Sequence, residues 1–191
     1  MPVEARRGRP PKVDDAGVAT RQRLLAAAIA ACVEHGYEGV TVNDVAARAE
    51  VSAPAIYHHF GGKDELLVAA GRWALDRLRP EDGASLSAPD VVSAFLAPSF
   101  ADSRCLMIEL HLAGRRHPEI AAMMAEWHAD HAPSWRRRAA GTPAQRDAAV
   151  TTFFALLLGL CQFDSLALPA TRAAVERHSR RIAADLFPTE Q

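Results

Sequence analysis

Residues 41–67 carry the feature that most constrains this chain, which is a pattern of two short helices joined by a tight turn: TVNDVAARAEVSAPAIYHHFGGKDELL. Thr41 is followed three residues later by an aspartate, a helix-capping signal that predicts a first helix over residues 42–49. Ser52 is predicted to cap a second helix over residues 53–60, with a proline tolerated in its first turn. Two helices joined in this way predict binding to duplex DNA.

The second predicted helix has an apolar side and a polar aromatic side. At about 100° per residue, Ile56 and Phe60 fall together and are expected to face the core. The outward positions are held by Pro54, Ala55, Tyr57, His58 and His59. In a major groove, such a surface offers hydroxyl and imidazole groups to phosphates and base edges. Lys63 follows at the start of the next helix, where a cation is a natural phosphate contact.

The order and spacing of these residues resemble a known family. Residues 20–67 are similar to the DNA-binding domain of TetR-family transcriptional regulators. The motifs that carry the resemblance are Arg21, Gly36-Tyr37, Thr41-Val42, Asp44-Val45-Ala46, Val51-Ser52, Ile56-Tyr57-His58-His59-Phe60 and Lys63. The resemblance covers about the first third of the chain and implies a helix-turn-helix domain followed by a helical ligand-binding and dimerisation domain.

The resemblance also implies which residues contact DNA. Phosphate-binding or backbone-clamping positions are matched by Thr41, Asn43, Tyr57, His59 and Lys63, and Asn43 can also reach a base. Positions against base edges are matched by Ala53, Pro54 and Ala55, and Ser52 and His58 complete the predicted surface. Two departures from the family stand out. Glu50 occupies a position where glycine is usual, which questions the turn geometry. Ala53 and Ala55 replace polar readers, which favours apolar contacts and recognition of DNA shape.

The formal net charge of the 191 residues is only -1, so we expect any attraction to nucleic acid to come from local basic patches. The clearest patch is the basic N-terminal tail, residues 1–18, which is expected to be flexible. Within it, Arg7 and Arg9 flank a glycine and precede a proline, a short pattern that resembles an AT-hook entering the minor groove. A solvated tail remains the alternative.

The remainder of the chain is predicted to be helical throughout. We place the helix-turn-helix domain with its linking helix at residues 19–80 and an effector-binding and dimerisation domain at residues 81–191, separated by a proline- and glycine-containing segment. Predicted helices of the second domain cover residues 90–101, 104–116, 119–139, 143–166 and 170–187. Pro133 is expected to kink or split the third of these. The fold class is therefore all-α.

The two last helices carry the predicted dimer interface. Thr142 and Gln145 form a capping box at the start of the first of them. Residues 153–163 are apolar on nearly every side, so we expect this helix to be buried all round. The last helix offers a matching stripe of Val175, His178, Ile182 and Leu186. Members of the resembled family dimerise through these two helices, which implies a homodimer.

An effector cavity is implied by the resemblance and suggested by adaptable apolar side chains with one imidazole. The predicted lining residues are Met107, His111, Met123, Met124, Trp127, Phe154 and Leu157. The alternative is ordinary core packing. His128 and His131, with Asp130, could also be metal ligands on one helical face, but they lack a second ligand cluster, so we predict neither a metal nor another cofactor.

The predicted function is a repressor that binds a palindromic DNA operator as a homodimer and changes affinity when a small lipophilic effector binds. Scattered cysteines and the absence of a secretory signal favour the cytoplasm, and the longest apolar run, residues 153–161, is too short for a membrane span. We recognise no catalytic motif in the sequence, so we do not expect an enzyme. The alternatives are a constitutive DNA binder without an effector and a helical small-molecule binding protein.

Overall fold

The computed structural model describes residues 15–77, 86–166 and 171–188, and all regular structure in these ranges is helical. The α-helices, in chain order, are α1 Asp15–Gly39, α2 Val42–Arg48, α3 Ala53–Phe60, α4 Lys63–Asp76, α5 Ala88–Leu96, α6 Ala101–Ala113, α7 Pro118–Arg138, α8 Pro143–Leu160 and α9 Arg172–Leu186. The predicted all-α class is confirmed. α1 begins earlier than expected, within the predicted tail, while Arg7 and Arg9 lie outside the described residues.

Local capping explains where the helices of the helix-turn-helix begin. Thr41 Oγ1 accepts a hydrogen bond from the Asp44 amide at 3.1 Å, as predicted from their spacing. Ser52 occupies the N-cap of α3 as predicted, but its side chain makes no capping hydrogen bond. Its exposed hydroxyl therefore remains available to a partner.

Glu50, in the turn between α2 and α3, has a left-handed backbone with φ 55°, and it is the one non-glycine residue with positive φ among those described. Its amide donates to the Ala47 carbonyl, and the next amide donates to Ala46. The turn therefore keeps the geometry for which glycine is suited, and the glutamate adopts it at a steric cost.

We expect Glu50→Gly to raise the free energy of unfolding by about 0.5–1 kcal/mol, because relief of left-handed strain exceeds the entropy that glycine adds to the unfolded chain. Urea unfolding measures this change. Ala30→Gly, at an exposed position inside α1, is the opposite control and should destabilise by roughly 1 kcal/mol. A loss of stability in Glu50→Gly would contradict the claim that the left-handed backbone of Glu50 is strained.

Two helices differ from the prediction at a proline, one in where it ends and the other in its continuity. α5 ends at Leu96 instead of continuing to residue 101, since Ala97 before Pro98 is extended (φ -56°, ψ 140°), and a short 3-10 turn, Pro98–Phe100, follows. α7, by contrast, runs through Pro133 without being split. The linking helix α4 ends at Asp76, and the predicted domain boundary after Pro80 lies largely outside the described residues.

One hydrophobic core runs from the N-terminal helices into the C-terminal ones. Gly71 on α4 allows close approach to α6, because a Cβ there would lie 3.2 Å from Leu110 Cδ1 and 3.3 Å from Met107 Cε. α1 also packs along α6, so α6 joins the two parts of the chain.

Within the single chain α8 is only partly buried, and the full burial expected from its sequence includes a partner chain. The segment Pro143–Ser165 has a mean hydropathy of 1.4 and is long and apolar enough for a membrane span, yet only 22% of its apolar 18-residue stretch is buried. Val150 and Phe153 face the core, while Leu156 and Leu158 are half-buried. An apolar surface on this helix is thus left uncovered by the described residues of its own chain.

A fully buried arginine, Arg104 on α6, fastens the end of α5 to the turn after α8. Its guanidinium donates to the carbonyls of Phe95 (2.5 Å) and Ala97 (3.1 Å) and forms an ion pair with Asp164. Arg172 at the start of α9 bonds the other oxygen of the same carboxylate at 2.7 Å. The hydrogen bonds from Arg104 and then Arg172 hold the pKa of Asp164 below its usual value.

Candidate nucleic-acid interface and internal cavity

The outer surface of α3 has the orientation predicted from the helical repeat. Ile56 is completely buried and Phe60 is half-buried against the core, whereas Tyr57 is 58% exposed and His58 is exposed. The small residues Ala53 and Ala55 are half-buried beside an exposed Pro54. This helix therefore presents a polar aromatic surface with room for close approach of a partner.

The N-terminus of α2 adds two exposed polar side chains, those of Thr41 and Asn43. The hydroxyl oxygen of Thr41 accepts from the Asp44 amide, which leaves its O–H free to donate to a phosphate. Arg48, at the other end of α2, is bound to Glu34 Oε2 at 2.5 Å. The polar groups open to a partner therefore lie at the N-terminal end of α2.

Lys63 is held beside the C-terminal end of α3 by Tyr37. Its ammonium donates to the Tyr37 carbonyl at 3.1 Å and lies 4.5 Å from the centre of the Tyr37 ring. The Tyr37 hydroxyl donates to Asp64 at 2.7 Å, and burial raises the pKa of this phenol. An ammonium has three donors, so Lys63 can hold Tyr37 and still offer N–H groups to a phosphate.

Tyr37 also connects the helix-turn-helix to α6, a role that sequence reasoning missed. The bend of α1 at Gly36 (φ 65°) turns the Tyr37 amide toward Glu109 on α6, whose Oε2 accepts its hydrogen bond at 2.9 Å. His117 packs on the Tyr37 ring, with centroids 5.3 Å apart, and lies 3.1 Å from Glu38 Oε1. The glycine-tyrosine pair was visible in the sequence, but its partner on α6, Glu109, lies 72 residues away.

A partly open cavity of about 330 Å³ lies among α4, α5, α6, α7 and α8. Five predicted residues line it, namely Met107, His111, Trp127, Phe154 and Leu157, whereas Met123 and Met124 do not. Met124 is buried in the core and Met123 packs against it. The volume of the cavity is at the lower end of the range for small-molecule sites, about 300–1,000 Å³.

The cavity contains more imidazoles than predicted. His128 and His131 line it together with His111, as do Trp135 and Arg138. The rings of Trp127 and His131 lie 4.7 Å apart, and those of His128 and Phe154 lie 5.4 Å apart. Within the described ranges, no three histidine, cysteine or carboxylate side chains converge as metal ligands. The walls therefore combine aromatic and aliphatic side chains, and three imidazoles are among the polar groups.

Comparison with known proteins agrees with this arrangement of a helix-turn-helix joined to a cavity-bearing helical part. Residues 24–70 match the sequence model of the bacterial regulatory proteins of the tetR family, and residues 78–188 match the tetracyclin repressor-like C-terminal domain. The chain belongs to the TetR family of transcriptional regulators. The members of this family and the curated relatives that match are transcriptional regulators, not enzymes.

Individual relatives of this TetR-family protein are similar over part or most of their length. The HTH-type transcriptional repressor AcnR of Corynebacterium efficiens is 43% identical over 58 residues, which is 30% of this chain and 31% of AcnR. The chain thus spans about a third of that relative. GusR of Salmonella enterica shares the fold, with a TM-score of 0.69, 22% identity and coverage of 94% of this chain and 100% of GusR.

A structure of the multidrug binding protein EbrR complexed with malachite green is also similar. Its TM-score is 0.60 at 26% identity, and the match covers 88% of this chain and 98% of EbrR. EbrR was also solved complexed with imidazole. These similarities extend through the C-terminal helices, beyond the helix-turn-helix itself.

Proposed function

We propose that this TetR-family regulator is a cytoplasmic repressor that binds a palindromic operator as a homodimer and responds to a small effector in the cavity. The observation that carries the proposal is the position of Glu109. It holds the Tyr37 amide beside the helix-turn-helix, and it lies on α6 between Met107 and His111, which line the cavity. One helix therefore contacts both the candidate ligand site and the base of the DNA-binding surface.

The DNA contacts follow from exposure and hydrogen-bonding capacity. Thr41, Tyr57 and His59, with Lys63 held by Tyr37, form the phosphate clamp. Asn43, Ser52 and His58 are the exposed polar groups available to reach bases or phosphates. Ala53, Pro54 and Ala55 supply apolar contact, for example with thymine methyl groups. Arg7 and Arg9 extend the interface into the minor groove.

The dimer is supported by the uncovered apolar surface of α8 and α9. Ile182 on α9 is 45% exposed, and Leu156 and Leu158 on α8 are half-buried. A second copy related by a two-fold axis can cover such a surface with its own α8 and α9. We place the functional division of each chain near residue 80, between the DNA-binding part and the effector and dimerisation part.

The effector response requires a ligand that binds one dimer geometry more tightly than another. A ligand seated against Met107 and His111 pushes on α6, and Glu109 transmits the displacement to Tyr37 and the N-terminus of α4. EbrR, which is similar over 88% of this chain and was solved complexed with malachite green, supports the binding of a small molecule by this fold. Displacement of α4 changes the separation of the two α3 helices in the dimer.

Selection of bound sequences from random duplex DNA tests the proposed function. We expect a palindromic consensus whose half-site centres are separated by about one helical turn or a multiple of it, as a dimer requires. Recovery of a palindrome supports both the dimer and the operator. Recovery of no enriched sequence, or of a single unrepeated half-site, would contradict them.

We expect Glu109→Ala to lower the free energy of unfolding by about 1–2 kcal/mol, since a charged acceptor of the Tyr37 amide is lost. Operator affinity should also change by roughly threefold or more, because α6 no longer holds the base of the helix-turn-helix. Urea unfolding and binding to the selected duplex measure the two effects.

Glu126→Ala is the matched control for this substitution. Glu126 on α7 also reaches α4, through Arg72 at 4.0 Å, but its side chain is 72% exposed. The free energy of unfolding should therefore change by less than about 0.5 kcal/mol and DNA affinity should not change. Equal effects of the two substitutions would remove Glu109 from the coupling.

A further inference from the structure

Two imidazoles in the cavity have a defined proton position. His111 Nδ1 lies 2.8 Å from the Met107 carbonyl oxygen, and His131 Nδ1 lies 2.8 Å from that of Trp127. A carbonyl oxygen can only accept, so each Nδ1 carries the hydrogen. In a neutral ring, Nε2 then has a lone pair and is a hydrogen-bond acceptor on the side of the ring away from its own helix backbone.

The third imidazole, that of His128, is surrounded by aromatic rings. His128 has rings on three sides, with centroid distances of 5.0 Å to Trp127, 5.5 Å to His111 and 5.4 Å to Phe154. Burial, followed by the proximity of His111 and His131, lowers the pKa of His128. The Nε2 atoms of His111 and His131 have no hydrogen-bond partner within the described residues. The cavity thus offers acceptors with no partner of their own.

Formal charges in the lining do not favour a charged ligand. Arg138 is bound to the Leu86 carbonyl at 2.6 Å and lies 4.2 Å from the centre of the Trp135 ring. Asp76, the carboxylate in the lining, likewise has an interaction of its own. The two formal charges cancel, so with neutral imidazoles a charged ligand would lose its hydration without gaining an unpaired counter-ion.

We infer that the ligand of this cavity is a small, uncharged aromatic molecule that donates an O–H or N–H hydrogen bond to Nε2 of His111 or His131. This inference rests on the proposed function, since it names the effector class of the same site. The Trp127 and Phe154 rings supply aromatic walls for a planar ligand. A cavity of about 330 Å³ accommodates a ligand of one or two fused rings.

Matched naphthalene derivatives test the inference on the full chain by titration calorimetry without DNA. 2-Naphthol has the hydroxyl donor, 2-methoxynaphthalene has the same ring system without a donor, and 2-naphthoate carries a negative charge. We expect 2-naphthol to bind about tenfold more tightly than either of the others. Equal or tighter binding of 2-methoxynaphthalene or 2-naphthoate, or no binding of 2-naphthol, would overturn the inference.

Two histidine variants locate the acceptor. His111→Phe and His131→Phe keep an aromatic ring but remove Nε2, and at least one should weaken 2-naphthol binding about five- to tenfold while leaving 2-methoxynaphthalene binding unchanged. His35→Phe, on α1 outside the cavity, should bind both compounds as the wild type does. Equal 2-naphthol affinity in both cavity variants and the wild type would overturn the assignment of the acceptor, provided that circular dichroism shows folded protein.

DNA binding separates this inference from the proposed function. If 2-naphthol binds through a histidine but does not change operator affinity, the ligand class is supported and the regulatory coupling fails. If 2-naphthoate binds in the cavity and releases the operator, the coupling is supported and the ligand class is overturned.

Discussion

Tyr57→Phe should reduce affinity for the operator by roughly 100-fold while leaving the fold intact. The Tyr57 hydroxyl is exposed and has no hydrogen-bond partner within the described residues, so its removal costs the folded protein nothing. In a dimer, two hydroxyls are lost, each a donor to a phosphate worth about 1.5 kcal/mol. Fluorescence anisotropy on the selected duplex, together with thermal unfolding, measures both properties.

The other tyrosine of the chain provides a control with the reverse outcome. Tyr37→Phe removes the hydrogen bond to Asp64, so the free energy of unfolding should fall by about 1–2 kcal/mol. It keeps the backbone groups that bind Glu109 and Lys63, so DNA affinity at low temperature should change little. Full operator affinity in Tyr57→Phe would exclude this hydroxyl from the phosphate clamp.

Asp164→Ala should lower the free energy of unfolding by about 3 kcal/mol at neutral pH. The substitution leaves the completely buried Arg104 guanidinium without its carboxylate, and an uncompensated buried charge is costly. Urea unfolding at neutral pH measures the loss. Asp130→Ala, at an exposed position of α7, should change stability by less than about 0.5 kcal/mol.

The Arg104–Asp164 ion pair also predicts how the loss of stability in Asp164→Ala depends on pH. The pKa of Asp164 is lower in the folded protein than its ordinary value of 3.8, because Arg104 and Arg172 bind the carboxylate. The stabilisation is therefore complete well above pH 3.8 and disappears as pH falls through the lowered folded value. The stabilities of wild type and Asp164→Ala should converge in acid, and a constant difference would contradict an ionic origin.

Local signals predicted the helix-turn-helix because each depends on neighbours a few residues apart. The Thr41 cap and the orientation of Ile56 and Tyr57 need only the helical repeat, and both are confirmed. At Glu50, residue type alone did not predict the backbone conformation. Glutamate disfavours a left-handed backbone, yet Glu50 adopts it because the two flanking helices fix the turn.

Features that depend on distant partners were not predictable. The bonds from Tyr37 to Glu109 and from Arg104 to Asp164 join residues 72 and 60 positions apart. The apolar pattern of α8 predicted that the helix needs cover and that part of it faces a partner, but it did not show which residues the chain's own core would bury. Met123 and Met124 had suitable chemistry for a cavity, but helix packing decided which α7 residues line it.

Glu109 lies between two cavity residues, and the proposed coupling between ligand binding and DNA binding acts in both directions. A ligand against Met107 and His111 and a DNA duplex against α3 act on the same α6 contact from opposite ends. Thermodynamic linkage requires that their effects be equal, so operator DNA must weaken the ligand by the factor by which the ligand weakens the operator. The fraction of cavities that are occupied in the cell is then set partly by how many operators are free.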